Sequence, residues 1–81
     1  MKVYYNVEFY QIKDNGVRKE CEITSVHGWE EVFYTENLKK ALKEFEERKE
    51  YINRFKDKEL GATFSIWVDD MEVDQVSYEF E

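Results

Sequence analysis

The chain holds no proline, three glycines, one cysteine and one histidine, and each scarcity closes a route to function. With no proline, no internal repeat and no tract of biased composition, nothing reads as a linker, so residues 1–81 read as a single acidic α+β domain. Gly16, Gly28 and Gly61 are dispersed, so neither phosphate-cradling pattern, G-x-x-x-x-G-K or G-x-G-x-x-G, is present. The lone Cys21 cannot close an internal disulfide and has no companions for a zinc site. His27 lies six residues from Cys21. On a regular strand the two share a face but stand ~20 Å apart, too far for a nucleophile–base dyad. No stretch approaches the ~18 consecutive apolar residues of a membrane span. The opening Met1-Lys2-Val3-Tyr4-Tyr5-Asn6 alternates instead of forming the apolar core of a signal peptide. These absences point to a non-enzymatic, soluble, cytoplasmic protein with no cofactor, no metal and no membrane partner.

Basic residues are also missing from one region. Residues 1–29 carry four basic and four acidic groups, and residues 30–60 carry eight and nine. Residues 61–81 carry no basic group and six acidic ones: Asp69, Asp70, Glu72, Asp74, Glu79 and Glu81. Nearly all of the net charge of −7 therefore sits in the last quarter of the chain. A field of that sign repels nucleic acid and anionic membrane and attracts basic partners.

What is present is aromatic and periodic. Residues 2–13 alternate, with Val3, Tyr5, Val7 and Phe9 on one face and Tyr4, Asn6, Glu8, Tyr10 and Ile12 on the other. Lys13-Asp14-Asn15-Gly16 then turns the chain. A three-residue loop with Gly16 left-handed pairs Lys13 with Val17, Phe9 with Cys21, Val7 with Ile23 and Tyr4 with Val26, matching apolar faces. The same register sets Glu8 against Glu22, a like-charge pair that opposes folding. Strand two spans about Val17 to Val26, and Trp29 to Tyr34 is a connector or a short extra strand. Thr35 is an expected N-cap. Leu38, Ala41, Leu42, Phe45, Ile52 and Phe55 recur at helical spacing, opposite Glu36–Lys40, Glu44–Arg48 and Glu50–Arg54 pairs. Gly61 is the expected stop of a helix of ~22 residues, ~33 Å long.

The last segment alternates again. Ala62, Phe64, Ile66 and Val68 lie on one face and Trp67 on the other. A turn at Asp70-Met71-Glu72 pairs Asp69 with Val73, Ile66 with Val76 and Phe64 with Tyr78, and Phe80 follows on the same face as Val76. The expected fold class is α+β in ββαββ order: a four-stranded, mainly antiparallel sheet with one long helix packed on one face.

Two surfaces remain as candidates. The helix-free face carries Tyr4, Tyr10, Ile12, Val26, Trp67 and Val73 among Glu8, Glu20, Glu22, Asp69 and Glu79. Stacked aromatics on an open sheet hold bases in some RNA-binding domains, but these carboxylates repel phosphates, so direct nucleic-acid binding is not expected. Tyrosine and tryptophan are equally suited to protein contacts. The second surface is the acidic hairpin of Asp69, Asp70, Glu72, Asp74 and Glu79. Its carboxylates lack calcium-loop spacing, and their charge suits the basic groove of a nucleic-acid-binding protein. In size and charge alone the chain is similar to small acidic inhibitors encoded by phages and other mobile elements, such as anti-CRISPR and anti-restriction proteins. The expectation is a module that binds a basic protein through Tyr4, Tyr10, Trp67, Asp69, Asp70, Glu72, Asp74 and Glu79. The alternative is a self-associating homodimeric domain that buries Tyr4, Tyr10 and Trp67 against a second copy.

Overall fold

A computed structural model describes residues 1–12, 18–20, 25–26, 29–30, 32–55 and 59–79. In chain order its elements are β1 (Val3–Ile12), β2 (Arg18–Glu20), β3 (Ser25–Val26), β4 (Trp29–Glu30), β5 (Val32–Thr35), α1 (Leu38–Phe55), β6 (Leu60–Val68) and β7 (Met71–Glu79). The fold is α+β, an antiparallel sheet with α1 packed on one face. Across the sheet the order is β2-β1-β6-β7, and β5 joins the same edge of β1 as β2. Four strand positions result, the first shared by two segments.

The β1–β2 register is the expected one where it is described: Tyr10↔Glu20, Gln11↔Lys19 and Ile12↔Arg18. The Lys13–Val17 loop and the Cys21 pairing lie outside the described residues. Strand two does not run on to Val26 as expected. Ser25 and Val26 pair instead with Glu30 and Trp29 in a separate two-stranded sheet, and β5 takes over the edge of β1 with Tyr5↔Thr35, Asn6↔Tyr34, Val7↔Phe33 and Glu8↔Val32. From Tyr10↔Glu20 to Glu8↔Val32, two steps back along β1 advance the partner by twelve residues, so the edge of β1 passes from β2 to β5. The physical gain is clear at Glu8. Continuing strand two would set Glu22 against it, whereas β5 sets Val32 there and removes the like-charge pair. Val32-Phe33-Tyr34-Thr35 is also an uninterrupted run of β-branched and aromatic residues, with Phe33 turned inward against the core.

α1 differs from expectation at both ends. Asn37, not Thr35, is the N-cap: its Oδ1 accepts the Lys40 N–H at 3.2 Å, and the Thr35 hydroxyl accepts the Asn37 N–H at 3.1 Å. The helix ends at Phe55, before Gly61, which lies inside β6. Gly61 is glycine for a different reason. The Tyr10 ring crosses directly over it, so an added Cβ would come within 2.2 Å of that ring.

The core lies between α1 and the strands β1 and β6. Val7, Phe9 and Ile52 are fully buried, with Phe45, Tyr51, Ala62 and Phe64 around them, and each large apolar side chain so buried contributes about 1.5–3 kcal/mol. The stripe that faces the sheet is Ala41, Phe45, Arg48 and Ile52, while Leu38, Leu42 and Phe55 are exposed. Arg48 is thus a core residue. Its guanidinium lies 4.7 Å from the centre of the Phe9 ring and 5.7 Å from that of Trp29, where cation–π attraction offsets part of its lost hydration. On the outer side of α1, Glu46–Lys49 and Glu50–Arg54 are ion-paired.

The C-terminal hairpin is tighter than expected. Val68 pairs with Met71, which leaves Asp69 and Asp70 as a two-residue loop, and both have positive φ (49° and 69°). These are the signs of a type I′ turn, whose twist matches that of its strands. Pairing is Trp67↔Glu72, then Ile66↔Asp74 and Phe64↔Val76, with Val73 bulged out between. Phe64 therefore faces Val76, not Tyr78. From Asp74 onward the slip of two residues keeps side chains on their expected faces, which is why alternation alone does not reveal it, whereas the bulge brings Glu72 onto the face of Trp67. Phe80 lies outside the described residues.

Candidate protein-binding face

Because Val7 and Phe9 point to α1, the even-numbered residues of β1 point to the opposite, helix-free face. There Tyr4 stands directly opposite Trp67 on β6. Their rings are nearly parallel, 5.8 Å apart and inclined by 10°. On the other side of Tyr4, the Tyr34 ring of β5 approaches to 4.7 Å at a tilt of 58°. Three rings from three neighbouring strands thus form one row. Tyr34 is 53% exposed and Tyr4 and Trp67 are half-buried, so the row is a surface and not a second core. The indole N–H of Trp67 donates to Ser65 Oγ at 3.1 Å, fixing the ring orientation. Asn6, the next residue of β1 on this face, has its Oδ1 enclosed with no hydrogen-bond donor among the described residues.

Carboxylates end the row. Glu72 lies opposite Trp67 across the β6–β7 ladder. Asp70, at the turn, acts on Tyr4. Partial burial is the first cause that pushes the Tyr4 phenol above its ordinary pKa, and the Asp70 carboxylate is the second, ahead of Tyr34, while Lys2 pulls the other way. Asp69 is occupied by the main chain. Its Oδ1 accepts the Lys2 N–H at 2.9 Å and its own N–H donates to the Lys2 carbonyl at 2.9 Å, clamping the turn to the start of β1.

The remaining candidates are distributed differently. Tyr10 is on the open face but only 5% exposed. Its hydroxyl donates to Glu79 Oε1 at 3.1 Å, so this pair closes the surface over Gly61 rather than offering a contact. Asp74, opposite Ile66, is on the helix side and apart from Glu72. The acidic hairpin is therefore divided between two faces, with Asp70 and Glu72 next to the aromatic row. Val26 pairs into the small β3–β4 sheet, away from Tyr4. The pairing pattern missed Tyr34, because residues 29–34 had no assigned edge. Its position immediately before Thr35 in an aromatic, β-branched run is the available signal.

Elsewhere, a hollow of about 370 Å³ lies between Trp29 and the second half of α1, lined by Glu47, Glu50, Tyr51, Arg54 and Phe55. Its Glu50 and Arg54 already bond to one another. Among the described residues, no cluster of histidine, cysteine and carboxylate side chains is arranged to hold a metal ion, and no helix is long and apolar enough to cross a membrane. Comparison with protein-family models, characterised proteins and solved structures gives no match for this chain.

Proposed function

We propose that the chain is a non-enzymatic binding module that docks a basic protein on its helix-free face, with Tyr34, Tyr4 and Trp67 as the contact and Asp70 and Glu72 as the charge that steers it. The observation that carries this reading is the half-exposed ring row ending in carboxylates. Aromatic faces beside carboxylates suit guanidinium and ammonium groups, which gain cation–π attraction and an ion pair at one place. Phosphates gain nothing there, which is why a protein and not a nucleic acid is the proposed partner. Positive φ at Asp70, where glycine or asparagine is easier, is consistent with charge being kept at the tip for a use other than stability. A cytoplasmic nucleic-acid-binding protein, inhibited at its basic groove, is the partner class that this charge favours.

The test is a binding titration against a basic protein recovered on the intact chain, repeated with Trp67→Ala and with Asp70→Asn/Glu72→Gln. Trp67→Ala should weaken binding about tenfold or more, which corresponds to ~1.4 kcal/mol. The double neutralisation should slow association and flatten its salt dependence. Affinity unchanged in both variants sinks the reading. Sedimentation as a tight homodimer that Trp67→Glu disrupts would put a second copy on this face instead.

A further inference from the structure

Among the described residues β7 ends the sheet on its side, and its ladder partner is β6. It is nine residues long, and Met71 to Ser77 are all exposed. An edge strand presents its backbone donors and acceptors to whatever lies beside it, and folded proteins ordinarily blunt such an edge with proline, lysine or a covering element. β7 has neither proline nor lysine. α1 does not cover it, because the buried stripe of the helix sits over β1 and β6 and reaches β7 chiefly at Tyr78. There Asn53 donates to the Tyr78 hydroxyl and the Lys49 ammonium lies 5.0 Å from the ring centre. On the helix side Val76 is left 53% exposed, and Leu38 and Leu42 on α1 are each 44% exposed. The bulge at Val73 bends the turn end of the strand, and the regular stretch is Asp74 to Glu79.

Charge decides what fits this edge. Residues 61–81 carry six carboxylates and no cation, so a second copy would bring six more alongside, whereas a strand bearing lysine or arginine is attracted. We infer that the outer edge of β7 accepts an extended basic segment of the partner as an added strand. The inference rests on the proposal that the partner is basic. Side chains of an added strand alternate between faces. Those on the helix side meet Val76, and those on the open side meet Gln75 and Glu79. The segment should therefore alternate apolar and basic residues over about six positions, with main-chain bonds giving affinity and the alternation giving specificity.

The test uses the intact chain and, as probe, a synthetic peptide alternating lysine and valine, with two further forms N-methylated on one or the other alternate set of amides. Alternate amides of a strand point to opposite edges. The expected result is slowed amide exchange across Asp74–Glu79, lost on methylating one set and retained on methylating the other. Three results overturn the inference: no exchange change at β7 at millimolar peptide, equal effects of the two methylated forms, or concentration-dependent protection of β7 by the chain itself. The two readings fail separately. Trp67→Ala abolishing partner binding while β7 exchange stays fast removes the strand addition alone. Protection of β7 by the peptide with partner affinity unmoved by Trp67→Ala and Asp70→Asn/Glu72→Gln removes the aromatic face alone.

Discussion

Asp70 contributes through its backbone and through its carboxylate. It completes a left-handed turn with Asp69, a conformation that disfavours L-residues by roughly 1–2 kcal/mol and aspartate by less, and it raises the pKa of Tyr4. The fold favours the neutral phenol. The Tyr4 contribution to stability is therefore complete below its unfolded value of about 10, and it is lost as pH rises through the higher folded value. Asp70→Asn removes the second cause and leaves burial, so the Tyr4 midpoint should move down towards its ordinary value without reaching it. The measurement is the ultraviolet titration of the chain minus that of Tyr4→Phe. An unchanged midpoint would show that Asp70 does not face the phenol. Tyr4 and Trp67 were legible as residues of one face because alternation fixes faces. The burial of Tyr10 was not legible, since a glycine beneath an aromatic ring and a glycine after a helix leave the same mark in a sequence.

Among the elements, α1 departs most from its pattern. Its inward positions 41, 45, 48 and 52 follow helical steps of four, three and four, so the geometry was readable, but the charge of Arg48 concealed that it occupies one of them. An arginine stem is apolar and its planar head stacks on rings, here those of Phe9 and Trp29. Burying a guanidinium nevertheless costs hydration. Arg48→Met keeps the volume and removes the charge, so stability should stay within about 1 kcal/mol of the parent or rise. Arg48→Ala leaves a cavity beside Phe9 and should cost about 2–4 kcal/mol. Urea unfolding of the two variants distinguishes the cases, and a larger loss for methionine than for alanine would mean that the charge itself holds the core. β5 was hidden for another reason. Alternation describes a segment singly and does not say which of two segments wins an edge. That contest was decided by pairing, Val32 against Glu8 in place of Glu22.

For the molecule as a whole, the sheet is asymmetric. One side of β1 is closed by β2 and β5, and among the described residues β7 is the open far edge. The sequence revealed the distribution of charge completely, since it needs no coordinates, but not that half of the hairpin's carboxylates would line an edge. With no proline or lysine on β7, carboxylate repulsion is what opposes edge-to-edge association of the chain with itself. That repulsion acts through space and is screened within ~3 Å at 1 M salt. It also weakens as the pH falls through the ordinary carboxylate range at about 4, since residues 61–81 have no basic group to neutralise them sooner. Glu72→Gln/Asp74→Asn/Glu79→Gln should therefore associate more strongly than the parent at pH 7 and low salt. The parent should associate more strongly at about pH 4 or in concentrated salt. Light scattering gives the onset, and hydrogen exchange gives the place, which should be Asp74–Glu79 rather than β2 or β5. If the neutralised variant remains monomeric with fast exchange at β7, the edge is protected by something other than charge, and the bulge at Val73 is the element that would have to do it.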